Sequence, residues 1–383
     1  MKNILKENYI RLSFLFIIVL SLISMCRSLL VPLVNDEITY FKIASNILKG
    51  KYYYTDYPST VTPVISFVTA FFNSFLSQPY SLVFHKIFNI LLYGFGLKYL
   101  YLLLKSQKLD HTIALLIVVL TVVNPISVSW FSTMYPEAIL FFSFWGFMYY
   151  MTKEFSENTI IKLLFFFTVM CLTRYVYSVI GLVLLIRFYN DLKDNFNSRI
   201  WIITKYSIFF LIPVVIWIKY MVNVETNQLS GISYFNRFKT ENPLLYNIKC
   251  GLGLEKHYLV DKVNGLPAFV SLFVPITGIR SFLISSVLFV VFLIGFIKKG
   301  NTKALKIVLL SCILVMLGFV FAGTGFSRYW LVLLPIYFLG FYYFSKLIGI
   351  NDKWFILISQ CISVIYIINE FRVDYLVISK LYE

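Results

Sequence analysis

Four short stretches of this chain carry charge in otherwise apolar surroundings. Asp36 and Glu37 are adjacent in Val34-Asn35-Asp36-Glu37-Ile38-Thr39-Tyr40-Phe41. Glu137 stands in Tyr135-Pro136-Glu137-Ala138, and single arginines stand in Thr173-Arg174-Tyr175 and Ser327-Arg328-Tyr329. A carboxylate just outside a membrane can take a proton as a general base or bind a divalent cation. Successive helical residues point about 100° apart. Asp36 and Glu37 are therefore expected to divide the work, one facing an acceptor and the other holding an ion or backbone. A lone arginine at the end of an apolar run needs an anionic partner, and a guanidinium holds phosphate through charge-assisted hydrogen bonds. Each group also has a plainer structural reading. Acids suit a helix N-terminus, and arginines snorkel to headgroups.

The elements that position these residues follow from composition. The 383 residues are 59% apolar and only 14% charged, with a mean hydropathy of +0.80. A soluble surface needs roughly a quarter or more of its residues charged. The chain therefore reads as an all-α polytopic membrane protein, which excludes a soluble Rossmann-type enzyme, a fibre and a disordered chain. The net charge of +16 is explained by lysines at span ends facing anionic membrane lipid, with no nucleic acid partner. Five cysteines are scattered without metal-ligand spacing, and the three histidines form no cluster.

Apolar runs long enough to cross the hydrocarbon core predict about eleven transmembrane helices. The first runs from about Arg11 to Val31; it is too long for a signal peptide and is read as a retained span with a cytoplasmic amino end. The others lie near 81–104, 112–128, 137–152, 160–173, 175–189, 202–222, 281–297, 305–322, 329–346 and 354–369. Lysines and arginines crowd the predicted inner turns, whereas the short outer turns carry only Arg174 and Arg328. Residues 32–80 are expected to form a first outer loop and 223–266 a second, within one integral membrane domain spanning 1–383. The stretch 267–280 is expected to lie along the membrane.

The first outer loop opens with a predicted interfacial helix. Asn35 is placed to cap it, Phe41, Ala44 and Leu48 recur on one face, and Gly50 ends it. Tyr52, Tyr53, Tyr54 and Tyr57 follow, forming either an aromatic platform for a sugar or a set of membrane anchors.

The pattern Asp36-Glu37-x-x-Tyr40-x-x-x-Ala44-x-x-x-Leu48-x-Gly50 resembles the first outer loop of the GT-C superfamily of membrane glycosyltransferases. Within it, the chain is most similar to the protein O-mannosyltransferase and lipid A aminoarabinose transferase branch. Lys86 in Phe84-His85-Lys86-Ile87 stands where those proteins usually carry Arg. Tyr135-Pro136-Glu137-Ala138 opens the fourth span, and Arg174 and Arg328, the latter followed by Leu334-Pro335, match their outer-face arginines. The sequence departs from the pattern at Thr62-Pro63, where a Pro-Pro pair is common, and at Lys86, which lacks a bidentate fork.

The resemblance implies an inverting sugar transfer on the outer face of the cell inner (plasma) membrane, in cell-envelope glycan biosynthesis. The donor is then a polyprenyl-phosphate sugar and the acceptor a glycan, lipid or protein. Asp36 and Glu37 are the expected catalytic pair, with Asp36 as base. Lys86, Arg174 and Arg328 are expected on the donor phosphate, and Tyr40, Tyr57, Glu137 and Tyr329 on the substrate. Any divalent cation, Mg or Mn, would be held by Asp36 and Glu37. The competing expectations are a polymerase or ligase of lipid-linked polysaccharide and a transporter or flippase of lipid-linked glycans. The first usually lacks an acidic pair after its first span. The second would favour charges buried mid-span.

Overall fold

A computed structural model describes residues 2–52, 62–228, 241–256, 266–267, 269–270, 272–273, 279–323 and 327–382. Tyr53, Tyr54 and Tyr57 lie outside the described residues, as do much of the expected second loop and of the stretch 267–280. Among the described residues there is no strand. The first half of the chain forms α1 (Lys2–Met25), α2 (Asp36–Ile47), α3 (Pro63–Asn73), α4 (Gln78–Ser106), α5 (His111–Val123), α6 (Pro125–Trp130), α7 (Glu137–Met151) and α8 (Glu157–Thr173). The second half adds α9 (Gly181–Asp194), α10 (Phe196–Gln228), α11 (Pro243–Gly251), α12 (Ile279–Lys299), α13 (Lys303–Ala322), α14 (Leu334–Leu347) and α15 (Asp352–Tyr382). Short 3-10 segments at Cys26–Leu29, Tyr175–Ile180 and Ser327–Leu333 extend α1 and lead into α9 and α14.

Ten of the eleven expected spans each coincide with one helical segment, and the other, 112–128, is divided between α5 and α6 at Asn124. Among the described residues, eight helical segments are long and apolar enough to cross a membrane, which makes this a multi-pass membrane protein. The other three, α5, α7 and α8, have 13, 15 and 17 residues. At 1.5 Å per residue they reach only about 20–26 Å, short of the roughly 30 Å hydrocarbon core. Local chemistry sets some of these limits. The Asp110 carboxylate accepts the Thr112 amide at 2.8 Å and starts α5. Asn124, held extended before Pro125, ends α5 and caps α6 by accepting the Ile126 amide at 3.0 Å. Irregular backbone at such depth is tolerable where protein surrounds it. Here α5 and α7 are the most thoroughly buried helices of the bundle, with Leu116, Ile117, Phe141, Phe144, Trp145 and Phe147 all inaccessible.

Two edges of the bundle contrast with this core. Helix α10 exposes Ile208, Phe209, Ile212, Val215 and Ile216, as a lipid-facing helix does. Helix α15 runs parallel to α1, with Gln360 near Ser13 and Asp374 bonded to Ser24. Arg27, which the sequence left without a role, locks the pair by reaching Glu370 at 2.7 Å and Asp374 at 2.8 Å.

The helix expected after the first span is present as α2, and its buried face keeps Ala44 and Ile47 of the expected one but takes in Ile43 in place of Leu48. Ile43 and Ala44 are buried, and Ile47 packs against the cluster of Ile43, Tyr52 and Met221, while Leu48 is half exposed. The partner surface, which includes Trp217 of α10, decides the rotation. Gly50 takes φ +76°, the left-handed conformation in which glycine closes a helix at no steric cost.

Candidate functional site

The N-terminus of α2, the loop 131–136, the Arg174 turn and the 3-10 segment Ser327–Leu333 meet at one end of the bundle. Asp36 and Arg328 are 292 positions apart, yet Arg328 Nη2 donates to Asp36 Oδ2 at 2.5 Å. Beside this pair, Arg174 Nη2 donates to Glu137 Oε1 at 2.8 Å, and Arg328 Nε lies 4.0 Å from the same oxygen. Two carboxylates and two guanidiniums thus form one continuous chain, Asp36–Arg328–Glu137–Arg174. Its members differ in access. The Asp36 side chain is 42% exposed and that of Glu137 only 1%.

Aromatic rings wall the arginines. The Arg328 guanidinium lies 4.4 Å from the Tyr135 ring centre, 5.1 Å from that of Tyr329 and 5.4 Å from that of Trp130. Arg174 lies 4.0 Å over Tyr329. Cation–π attraction holds an arginine in place without using its N–H groups, which stay available to an anion. Tyr40 meets Tyr135 edge-on at 6.2 Å. Burial pushes the Tyr135 phenol up to about 12 and raises that of Tyr40 further, so both hydroxyls are neutral near pH 7.

Glu37 faces elsewhere. It is 2% exposed, and each of its oxygens accepts a backbone amide: Met134 at 2.8 Å and Val34 at 3.1 Å. Asn35 occupies the N-cap position with φ +49° but makes no side-chain cap bond, so the expected cap is absent and Glu37 bonds the flanking backbone instead. Because Glu37 is committed in this way and Asp36 is turned to Arg328, the two carboxylates do not converge on a shared ion position. Among the described residues no group of three or more His, Cys, Asp or Glu side chains is placed to hold a metal.

Lys86 belongs with Glu37 rather than with the arginines. It is 4% exposed, and its ammonium donates to Ser28 O at 2.5 Å and Val31 O at 3.0 Å. These are carbonyls left open where the first helix ends. The structure therefore gives Lys86 backbone partners in place of the expected phosphate position. One turn on, Asn89 donates to Thr133 O at 2.6 Å, and Ser28 Oγ donates to Ser132 O at 2.9 Å. The loop 131–136 is thereby clasped from α1, α2 and α4, and it presents Tyr135 and Glu137 to the arginines.

Of the expected site residues, Asp36, Tyr40, Glu137, Arg174, Arg328 and Tyr329 come together, Glu37 and Lys86 stand behind them, and Tyr57 is outside the described residues. Sequence reasoning did not single out Trp130, Asn89 or Tyr177 and did not assign Tyr135 a role. A buried Asn one turn from Lys86 was a usable signal, because polar side chains inside an apolar span seldom lack a task. Compared with protein-family models, with curated proteins and with solved structures, the chain matches none.

Proposed function

We propose that this protein is a membrane glycosyltransferase of the GT-C type that moves a sugar from a polyprenyl-phosphate donor to a hydroxyl acceptor on the outer face of the membrane. The observation that carries the reading is the direct contact between Asp36 and Arg328, two residues singled out independently as base and as phosphate ligand.

The charges balance, two carboxylates against two guanidiniums. A donor phosphate competes with Asp36 for Arg328, and Asp36, the more exposed acid, is the one that yields. Phosphate binding thus frees the base next to the sugar. The acceptor oxygen then attacks the anomeric carbon from the face opposite the phosphate, through an oxocarbenium-like transition state. The C–O bond to phosphate breaks, polyprenyl phosphate leaves on the arginines, and Asp36 takes the acceptor's proton. Arg174, already paired with buried Glu137, keeps the second guanidinium oriented throughout. Helix α10, with Ile208, Leu211, Ile212, Val215 and Ile216 exposed along it, offers an apolar face to an isoprenoid tail. On the same helix, Trp217 donates to the Tyr175 hydroxyl at 2.7 Å, one residue from Arg174.

The test is transfer by the purified protein, supplied with polyprenyl-phosphate mannose, glucose or galactose and a glycan acceptor. Turnover that is abolished in Asp36→Asn is expected. A wild-type protein that neither binds nor turns over any such lipid would sink the reading. The side of the membrane is checked separately with Lys49→Cys, which an impermeant maleimide should label in intact cells.

A further inference from the structure

Three buried polar atoms around the Arg174–Glu137 pair make no hydrogen bond among the described residues: Glu137 Oε2, Arg174 Nε and Tyr177 Oη. Tyr177 is wholly inaccessible and Glu137 nearly so. Most buried polar groups in folded proteins have a partner, and an unpartnered one is destabilising. Three in one place mark a position that something else is built to fill.

The local fold explains why they meet. Tyr177 lies in the 3-10 segment Tyr175–Ile180 that follows Arg174, and its amide donates to Arg174 O at 3.0 Å. Phe144, two helical turns beyond Glu137 on α7, meets Tyr177 edge-on at 6.3 Å, and Phe319 closes the other side at 6.0 Å. Arg174 and Glu137 are the charged groups that Tyr177 feels most strongly. The cluster offers one carboxylate oxygen that accepts, one guanidinium N–H that donates and one hydroxyl that does either, with Phe144 and Phe319 against the Tyr177 ring. That set matches adjacent hydroxyls on a sugar ring, each both a donor and an acceptor.

We propose that this cluster, closed to solvent here, opens to form the sugar subsite of the donor, with Tyr177 and Glu137 binding ring hydroxyls and so setting which sugar is accepted. The proposal rests on the sugar-donor reading above and adds residues that neither the acidic pair nor the arginine motifs include. Tyr177 touches the sugar, while Asp36 and Arg328 act at the bond that breaks.

The experiment compares the binding of polyprenyl-phosphate mannose, glucose and galactose with that of sugar-free polyprenyl phosphate, for wild type, Tyr177→Phe and Glu137→Gln, together with thermal unfolding of each. Tyr177→Phe removes an oxygen that makes no hydrogen bond among the described residues. Its melting temperature should therefore be unchanged or higher, while its preference for the sugar-bearing lipid drops about tenfold, the equivalent of one hydrogen bond. Glu137→Gln, which puts a donor where an acceptor stood, should lower the same ratio. A loss of folded protein would weaken both lipids equally and leave the ratio intact. A wild-type ratio in both variants overturns the subsite and leaves buried water as the occupant. Wild-type protein that binds neither lipid overturns the donor reading itself.

Discussion

The two sides of the α2 N-terminus are built on opposite plans. On the Glu37 side, charged and amide side chains bond to backbone: Glu37 to two amides, Lys86 to two carbonyls and Asn89 to the loop 131–136. On the Asp36 side, charged side chains bond to each other, with aromatic rings beneath them and unpartnered atoms between them. A bond to backbone is exchanged only by unfolding the segment that carries it. A bond between side chains is exchanged by rotating a few dihedrals. The first plan makes a clasp and the second a site, although Asp36 and Glu37 are adjacent and chemically alike.

Substitutions at the two acids probe this contrast most directly. Asp36→Asn keeps the shape and can still accept a hydrogen bond from Arg328. It should leave the melting temperature within a degree or two and lower transfer by about 10²–10⁴-fold, the usual worth of a general base. Retained turnover would move the base elsewhere. Glu37→Ala should do the reverse. It strips two amides of their acceptor, so unfolding should become easier by about 2–4 kcal/mol, read from thermal melts in detergent. A stable but inactive Glu37→Ala protein would put Glu37 in the site and erase the contrast.

The basic partners give smaller, graded effects. Arg328→Ala should weaken donor binding by about 1.5–3 kcal/mol, the range for a charge-assisted bond to phosphate, measured as donor affinity with folding monitored alongside. Unaltered affinity would free Arg328 from the phosphate role. Lys86→Arg restores the residue seen in the resembling family, yet the space around the ammonium is defined by two carbonyls at 2.5 and 3.0 Å. The larger planar head should strain that space and cost about 1 kcal/mol of stability without improving donor affinity. Tighter donor binding in Lys86→Arg would return this position to the phosphate.

Some of this was legible in the chain and some was not, as particular residues illustrate. The spans around 81–104, 281–297 and 305–322 follow from apolar runs, because lipid is a uniform solvent and an isolated segment already shows what it requires. Arg174, Arg328 and Glu137 were recognisable as candidates for the same reason: a charge is expensive beside hydrocarbon wherever its partner lies. Periodicity, however, shows only that a helix has faces. It placed Phe41, Ala44 and Leu48 inward with Ile47 beside them; Ala44 and Ile47 do pack inward, but the Tyr52–Trp217 surface takes Ile43 and leaves Leu48 half exposed. Which member of the Asp36-Glu37 pair sits on the clasp, which carbonyls hold Lys86, and how Tyr177 joins Glu137 were decided by contacts between segments tens to hundreds of residues apart. The sequence determined a multi-pass helical protein with charges at span ends, since those properties are local. Only the tertiary structure decided which charges pair and which buried polar atoms among the described residues lack a hydrogen bond, since hydrogen bonds require angstrom-scale proximity that spacing along the chain does not encode.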